Sequence, residues 1–189
     1  DALPISGQTL SYERRLAPLD GFAAAVDAFI ARAREQYAHR DANIITSLDL
    51  RRAEFPLVKH GYSVSAVDGA IDRLEDAFAK SEIERKRAAG GYDALRDRII
   101  AIKSSLRGRL DRPKRHHFSS TGWILRGYDR KQVDRFMASV SAHIETGREL
   151  DLNSVRRAVF KVKRGGYAEI EVDAFIDRVV ELLHIERYS

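Results

Sequence analysis

With 189 residues, no cysteine and a net charge of +5, the chain has room for one domain or two small ones, and a chain this size buries roughly 70% of its unfolded surface without staples. The absence of thiols excludes disulfide and thiolate chemistry and argues for an intracellular setting, and no apolar run reaches membrane-spanning length. A pI of about 9.5 is compatible with an acidic protein, an anionic membrane or nucleic acid without choosing among them.

Residues 1–18, with Pro4, Gly7 and Pro18, read as an irregular lead-in. The chain starts at Asp1 rather than Met, which leaves open a removed leader or a trimmed terminus. From Asp20, a plausible N-cap, a helix is predicted with Phe22, Val26, Phe29, Ile30, Ala33 and Tyr37 on one face. Thr46 or Ser47 caps a short helix carrying Leu48, Leu50 and Arg51-Arg52, ended by Pro56. A long helix follows from about Ser65 to about Arg87, with Val67, Ile71, Leu74 and Phe78 at four-three-four spacing. Gly90-Gly91 breaks it, and Leu95, Ile99, Ile102 and Leu106 stripe another helix ending near Gly108. The Gly- and Pro-punctuated basic stretch 107–118 is the one linker candidate. Beyond it a helix carries Val133, Phe136, Met137, Val140 and Ile144, and Asp151 or Asn153 caps a further short helix. In the last helix Ile170, Val172, Phe175, Ile176, Val179, Val180, Leu182 and Leu183 make a face too wide for one neighbour, so it is central to the core or dimeric.

One unit recurs along this order. Gly61-Tyr62, Gly127-Tyr128 and Gly166-Tyr167 are each followed at the same interval by Val-Asp (Val67-Asp68, Val133-Asp134, Val172-Asp173) and then by Ile71, Phe136 or Phe175. Upstream, Arg51-Arg52-Ala53-Glu54-Phe55 matches Arg156-Arg157-Ala158-Val159-Phe160. A fixed unit repeated in this way is one supersecondary module used several times. It reads as a short helix, an extended entry such as Phe160-Lys161-Val162-Lys163-Arg164 with half-buried alternation, a turn, and a long amphipathic helix. The glycines at 61, 127 and 166 suit a sharp turn with positive φ. Ser63 and Asp129 stand at N-cap positions, where the last copy has Ala168. Val26-Asp27-Ala28-Phe29-Ile30 is a degenerate fourth copy without the Gly-Tyr turn. The spacing from Val26 to Val67 nearly equals that from Val133 to Val172, which hints at two pairs of modules. The expected fold is therefore mostly α: repeated short helix–extended turn–long helix modules, with room for short β-strands or hairpins at the Gly-Tyr loops. The expected segments are 1–47 (N-terminal, with the degenerate module), 48–110 (first module plus a helix) and 111–189 (second and third modules).

The pattern carried by Arg126-Gly127-Tyr128-Asp129, Val133-Asp134 and Phe136, and again by Val172-Asp173-Ala174-Phe175-Ile176-Asp177, resembles the N-terminal domain of DivIVA, a bacterial division and polar-growth scaffold. Its repetition resembles the DivIVA-domain repeat proteins. The match covers 48–80, 116–145 and 152–183. The resemblance implies a cytoplasmic scaffold or adaptor, peripheral at the inner membrane face. Other proteins, further copies of itself as a homo-oligomer, or an anionic membrane would be its partners, with the modules of one chain pairing through crossed Gly-Tyr loops. It also implies that the residues just before Gly-Tyr form a binding tip: Leu125 with Arg126 above all, then Arg164 and Lys59. The competing reading puts Trp123 and Leu125 in the core and leaves the arginines merely solvated. The long coiled coils of that family are not matched, because Gly90-Gly91, Gly108 and Gly147 interrupt the helices.

Nothing in the chain points to catalysis or to a cofactor: no Gly-rich phosphate loop, nucleophile motif or His-Glu-x-x-His metal pattern occurs. His116-His117 read as a surface pair in a basic linker, the Val-Asp carboxylates as offsets to helix dipoles, and the repeated tyrosines as packing that braces the turn. A basic nucleic-acid-binding helical protein is the alternative, on the strength of the 103–115 charge, although no recognition-helix or stacking-sheet signature accompanies it.

Overall fold

The computed structural model describes residues 2–4, 23–38, 45–56 and 62–189, with backbone only for 2–4, 23–25 and 56. Two compact units, 1–82 and 83–189, divide the chain. The described residues are mostly helical, with two small antiparallel sheets among them. Lys59 and Gly61 lie outside the described residues.

In the first unit β1 (Ala2–Pro4) pairs antiparallel with β2 (Glu54–Pro56), Leu3 facing Phe55. Between them run α1 (Ala23–Ala38) and the short α2 (Ser47–Arg51). The stripe of α1 puts Val26 and Ala33 into the interior with Phe29 and Ile30 partly covered, against Leu50, Phe55, Val67, Ile71 and Phe78. Thr46 caps α2 through a complete capping box with Asp49. Helix α2 ends at Arg51, and Pro56 lies beyond it in β2 rather than terminating it. Glu82 accepts from both the amide and the hydroxyl of Ser47, tying α2 to the long helix α3 (Val64–Leu110).

Helix α3 carries one non-helical residue, Gly91, at φ 71 and ψ −168, a backbone state open essentially to glycine alone. From Ile83 onward it belongs to the second unit, where Ile83, Leu95, Ile102 and Leu106 face the core. The stretch 107–118 runs from this helix into the same core, which takes in Phe118. There follow β3 (Arg126–Tyr128), α4 (Arg130–Thr146), α5 (Leu152–Arg156), β4 (Val162–Arg164) and α6 (Glu169–Tyr188). Strands β3 and β4 pair antiparallel, Arg126 facing Arg164, Gly127 facing Lys163 and Tyr128 facing Val162.

Local chemistry sets the ends of these helices. The Asp129 carboxylate accepts from Lys131 N at 3.0 Å to cap α4, and Asp151 accepts from Ser154 N at 2.7 Å to cap α5. Ala168 gives α6 no side-chain cap, a deficit of about 1 kcal/mol. Packing outweighs it: Val172, Phe175, Ile176, Val179, Val180, Leu182 and Leu183 are all buried, each worth about 1.5–3 kcal/mol. Helix α6 is thus central to its core, held also by Arg98 on Glu181 (2.6 Å) and by Lys103 and His143 on Glu186 (both 2.8 Å). Val67 and Ile71 lie in the core of the first unit. Val133, Val172 and Phe175 lie in that of the second, with Phe136 packed against it.

From β1 to α3 the element order is strand, helix, short helix, strand, helix, and it is the same from β3 to α6. The same distance along the chain separates Ser47 from Leu152, Arg51 from Arg156 and Val64 from Glu169, the boundaries of the matching helices. Arg51 and Arg156, each closing its short helix, are both buried, an uncommon fate for arginine. The Arg156 guanidinium lies 2.8 Å from His184 Nε2. Because arginine only donates, that ring nitrogen is the acceptor.

Candidate functional site

The second unit is organised around a crossing of two loops. Tyr128 N donates to Tyr167 O at 3.0 Å and Tyr167 N to Tyr128 O at 2.9 Å, a reciprocal pair joining the two Gly-Tyr segments. Gly127 and Gly166 are the contact point. A Cβ on Gly127 would overlap the Tyr167 carbonyl oxygen, and one on Gly166 would overlap the carbonyl of Gly127. Neither has positive φ; in this turn Gly122 (73) and Gly165 (65) do. The positive-φ expectation for 127 and 166 is therefore replaced by a steric one: only glycine lets two backbones approach this closely.

Two tyrosine–carboxylate bonds lock the crossing from both sides. Tyr167, fully buried, donates to Asp134 Oδ1 on α4 at 2.8 Å, and Tyr128 bonds Asp173 on α6. Each loop's tyrosine thus grips the helix that follows the other loop. Burial, then the Asp134 bond, raises the Tyr167 pKa; burial, then Asp173 and Glu169, raises that of Tyr128. Both remain hydroxyls suited to bracing rather than to proton transfer. Phe118 packs edge-on against Tyr167 and Phe175, at centroid distances of 5.3 and 5.6 Å. The other Asp134 oxygen accepts from Arg115 N at 3.1 Å. His117, expected at the surface, is buried here with Nδ1 3.1 Å from Arg109 O, because the chain turns inward at 117–118 to cover Tyr167.

Above the crossing the chain makes a tight tip, 121–126. Thr121 N donates to Gly166 O (3.0 Å), Thr121 Oγ1 to Leu125 O (3.1 Å) and Gly165 N to Leu125 O (3.2 Å). With the tip backbone satisfied in this way, its side chains face outward. Trp123 is 83% exposed, Ile124 68% and Leu125 65%, so these residues are not core. The alternation foreseen for 160–164 also stops at the buried Phe160, since Val162 is exposed with the rest of β4. Arg126 and Arg164 are exposed cross-strand neighbours, and among the described residues no carboxylate pairs with either. Like charges directly opposed on a ladder are destabilising. Lys163, by contrast, sits 2.5 Å from the Asp129 carboxylate.

Arg130 is the keystone that the sequence did not single out. Its Nε donates to Gly165 O (2.8 Å), Nη1 to Arg115 O (3.0 Å) and Nη2 to the Ser120 hydroxyl (2.5 Å), with the guanidinium carbon 5.4 Å from the Tyr167 ring centre. The same applies to the Tyr–Asp braces, whose one trace in the sequence is that Gly61-Tyr62, Gly127-Tyr128 and Gly166-Tyr167 are each accompanied by a Val-Asp, as Gly91-Tyr92 is not. Among the described residues no group of three or more His, Asp and Glu side chains is placed to hold a metal ion, and no helix is long and apolar enough to cross a membrane. What the site offers is a rigid apolar point flanked by uncompensated cations. No protein-family model, curated protein or solved structure matches the chain.

Proposed function

We propose that this chain is a non-catalytic binding protein made of two crossed module pairs, and that its tip docks on an anionic membrane surface. The observation that carries the reading is the run Trp123-Ile124-Leu125, outward on a hydrogen-bonded turn beside the opposed Arg126 and Arg164. A fold gains nothing by exposing three consecutive large apolar side chains or by facing two arginines across a ladder. A bilayer rewards both: tryptophan favours the headgroup region, and each basic side chain near an anionic leaflet contributes about 1 kcal/mol. One tip supplies modest affinity, so several copies acting together would hold the protein at the surface.

The duplication is supported by the matched helix boundaries, the paired buried arginines and the recurrence of the Tyr–Asp brace as Tyr62 on Asp27. In cellular terms the DivIVA resemblance makes this an adaptor at the inner membrane face, serving division or polar growth. Nucleic acid explains the net charge but gives Ile124 and Leu125 nothing to bind.

Trp123 is the one tryptophan in the chain, so its emission is a site-specific probe. Vesicles containing phosphatidylglycerol are expected to pellet the protein and shift this emission to the blue. Pure phosphatidylcholine vesicles are expected to do neither, and Leu125→Ala/Arg126→Ala is expected to bind at least tenfold more weakly. No pelleting by anionic vesicles, or an unshifted emission on binding, refutes the reading.

A further inference from the structure

Arg115 is the one non-glycine residue with positive φ (67) among those described. For a bulky side chain this conformation is unfavourable, and glycine or asparagine occupies it with less strain. The surroundings impose it. His116 N donates to Pro113 O (2.9 Å) to close the turn, Arg115 N is held by Asp134, and Arg115 O is held by Arg130. The strain has no return within the fold: the Arg115 and Lys114 side chains are exposed, and no carboxylate among the described residues pairs with either. Arg130, which holds the Arg115 carbonyl, also holds the carbonyl of Gly165, next to Arg164. The strained turn is therefore fastened to the flank of the crossed loops, beside the tip.

We propose that Lys114-Arg115 is a second cationic contact of the docking surface, placed to engage lipid phosphates next to the inserted Trp123. The proposal rests on the membrane reading and adds a specific residue to it: an arginine kept at a strained position for binding and not for folding.

The test is Arg115→Gly in the full chain, read by thermal melting and by partition into phosphatidylglycerol vesicles at low salt. Melting should rise by about 1–3 °C as the strain is relieved, while partition weakens about fivefold and the blue shift at saturating vesicles persists. Arg115→Lys should bind within twofold of the original. Arg96→Ala, which removes an exposed arginine paired with Asp93 on α3, should change partition less than twofold. Undiminished partition of Arg115→Gly overturns this proposal and leaves the tip reading intact. So does an equal loss in Arg115→Lys or Arg96→Ala, or a fall in melting temperature for Arg115→Gly. A wild-type chain that ignores anionic vesicles removes both.

Discussion

Tyr62 and Tyr167 each follow a Gly and each reach the Asp of a Val-Asp step on the long helix before the preceding short one, yet the two contacts are physically different. In the second unit the hydroxyl makes one 2.8 Å bond to Asp134 from a fully buried ring, under Phe118 and beside Arg130. In the first unit Tyr62 lies 3.2 Å from both oxygens of Asp27 and is 45% exposed, with no ring stacked on it among the described residues. The same residue pattern therefore makes a strong brace only where another segment excludes water. A buried bond to a charged group contributes about 1.5–3 kcal/mol; an exposed one competes with solvent and contributes little.

The largest effect should come from filling the crossing itself. Gly166→Ala would drive a methyl into the carbonyls of Gly127 and Tyr128, which belong to a backbone pinned on both sides. Backbone cannot swing away as the end of a long side chain can, so a loss of more than about 3 kcal/mol is expected. Urea unfolding followed by circular dichroism measures it. A variant as stable as the parent would mean that the loops do not need this approach. Next in size, Tyr167→Phe should cost about 2 kcal/mol, while Tyr62→Phe should leave the urea midpoint almost unmoved. Equal losses at the two positions would dissolve the distinction between covered and open braces.

Much of this was written locally and so was legible in the sequence. The stripes of α4 and, apart from the exposed Ile170, of α6, the caps Asp129, Thr46 and Asp151, the missing cap at Ala168 and the break at Gly90-Gly91 all depend on neighbours within a turn or two. What escaped depends on partners far along the chain. Trp123 and Leu125 read either as core or, for Leu125 with Arg126, as a tip, and the local sequence does not choose between them. They face outward because Gly166 O and Gly165 N close the tip against Thr121 and Leu125. Gly127 and Gly166 were legible as obligatory glycines, but the reason, contact between two backbones, exists only after folding. His117 was misplaced for a related cause: a basic, Pro-containing stretch gives no hint that its last residues roof a tyrosine.

Acid should act on the second unit more gently. In the second unit, bonds from Ser119 and Arg109 hold the Glu171 carboxyl below its ordinary range, and Lys163 and the Lys131 amide do the same for Asp129. Burial opposes ionisation of Glu186, but Lys103 and His143 outweigh it. A carboxylate whose folded pKa lies below its unfolded value stabilises the fold at any pH above the unfolded value. That contribution fades as pH falls through the folded one. The second unit should therefore keep its stability down to about pH 4.5 and lose it progressively below. In the first unit the Tyr62 hydroxyl is held above its ordinary range by its bond to Asp27, a shift that acts at alkaline pH. Glu171→Gln, which weakens the 2.6 Å contact with Arg109, should flatten the fall in urea midpoint between pH 5 and pH 3 by a fraction of the Tyr167→Phe effect. A midpoint equally steep in parent and variant would assign the acid sensitivity to other carboxylates, Asp129 and Glu186 first.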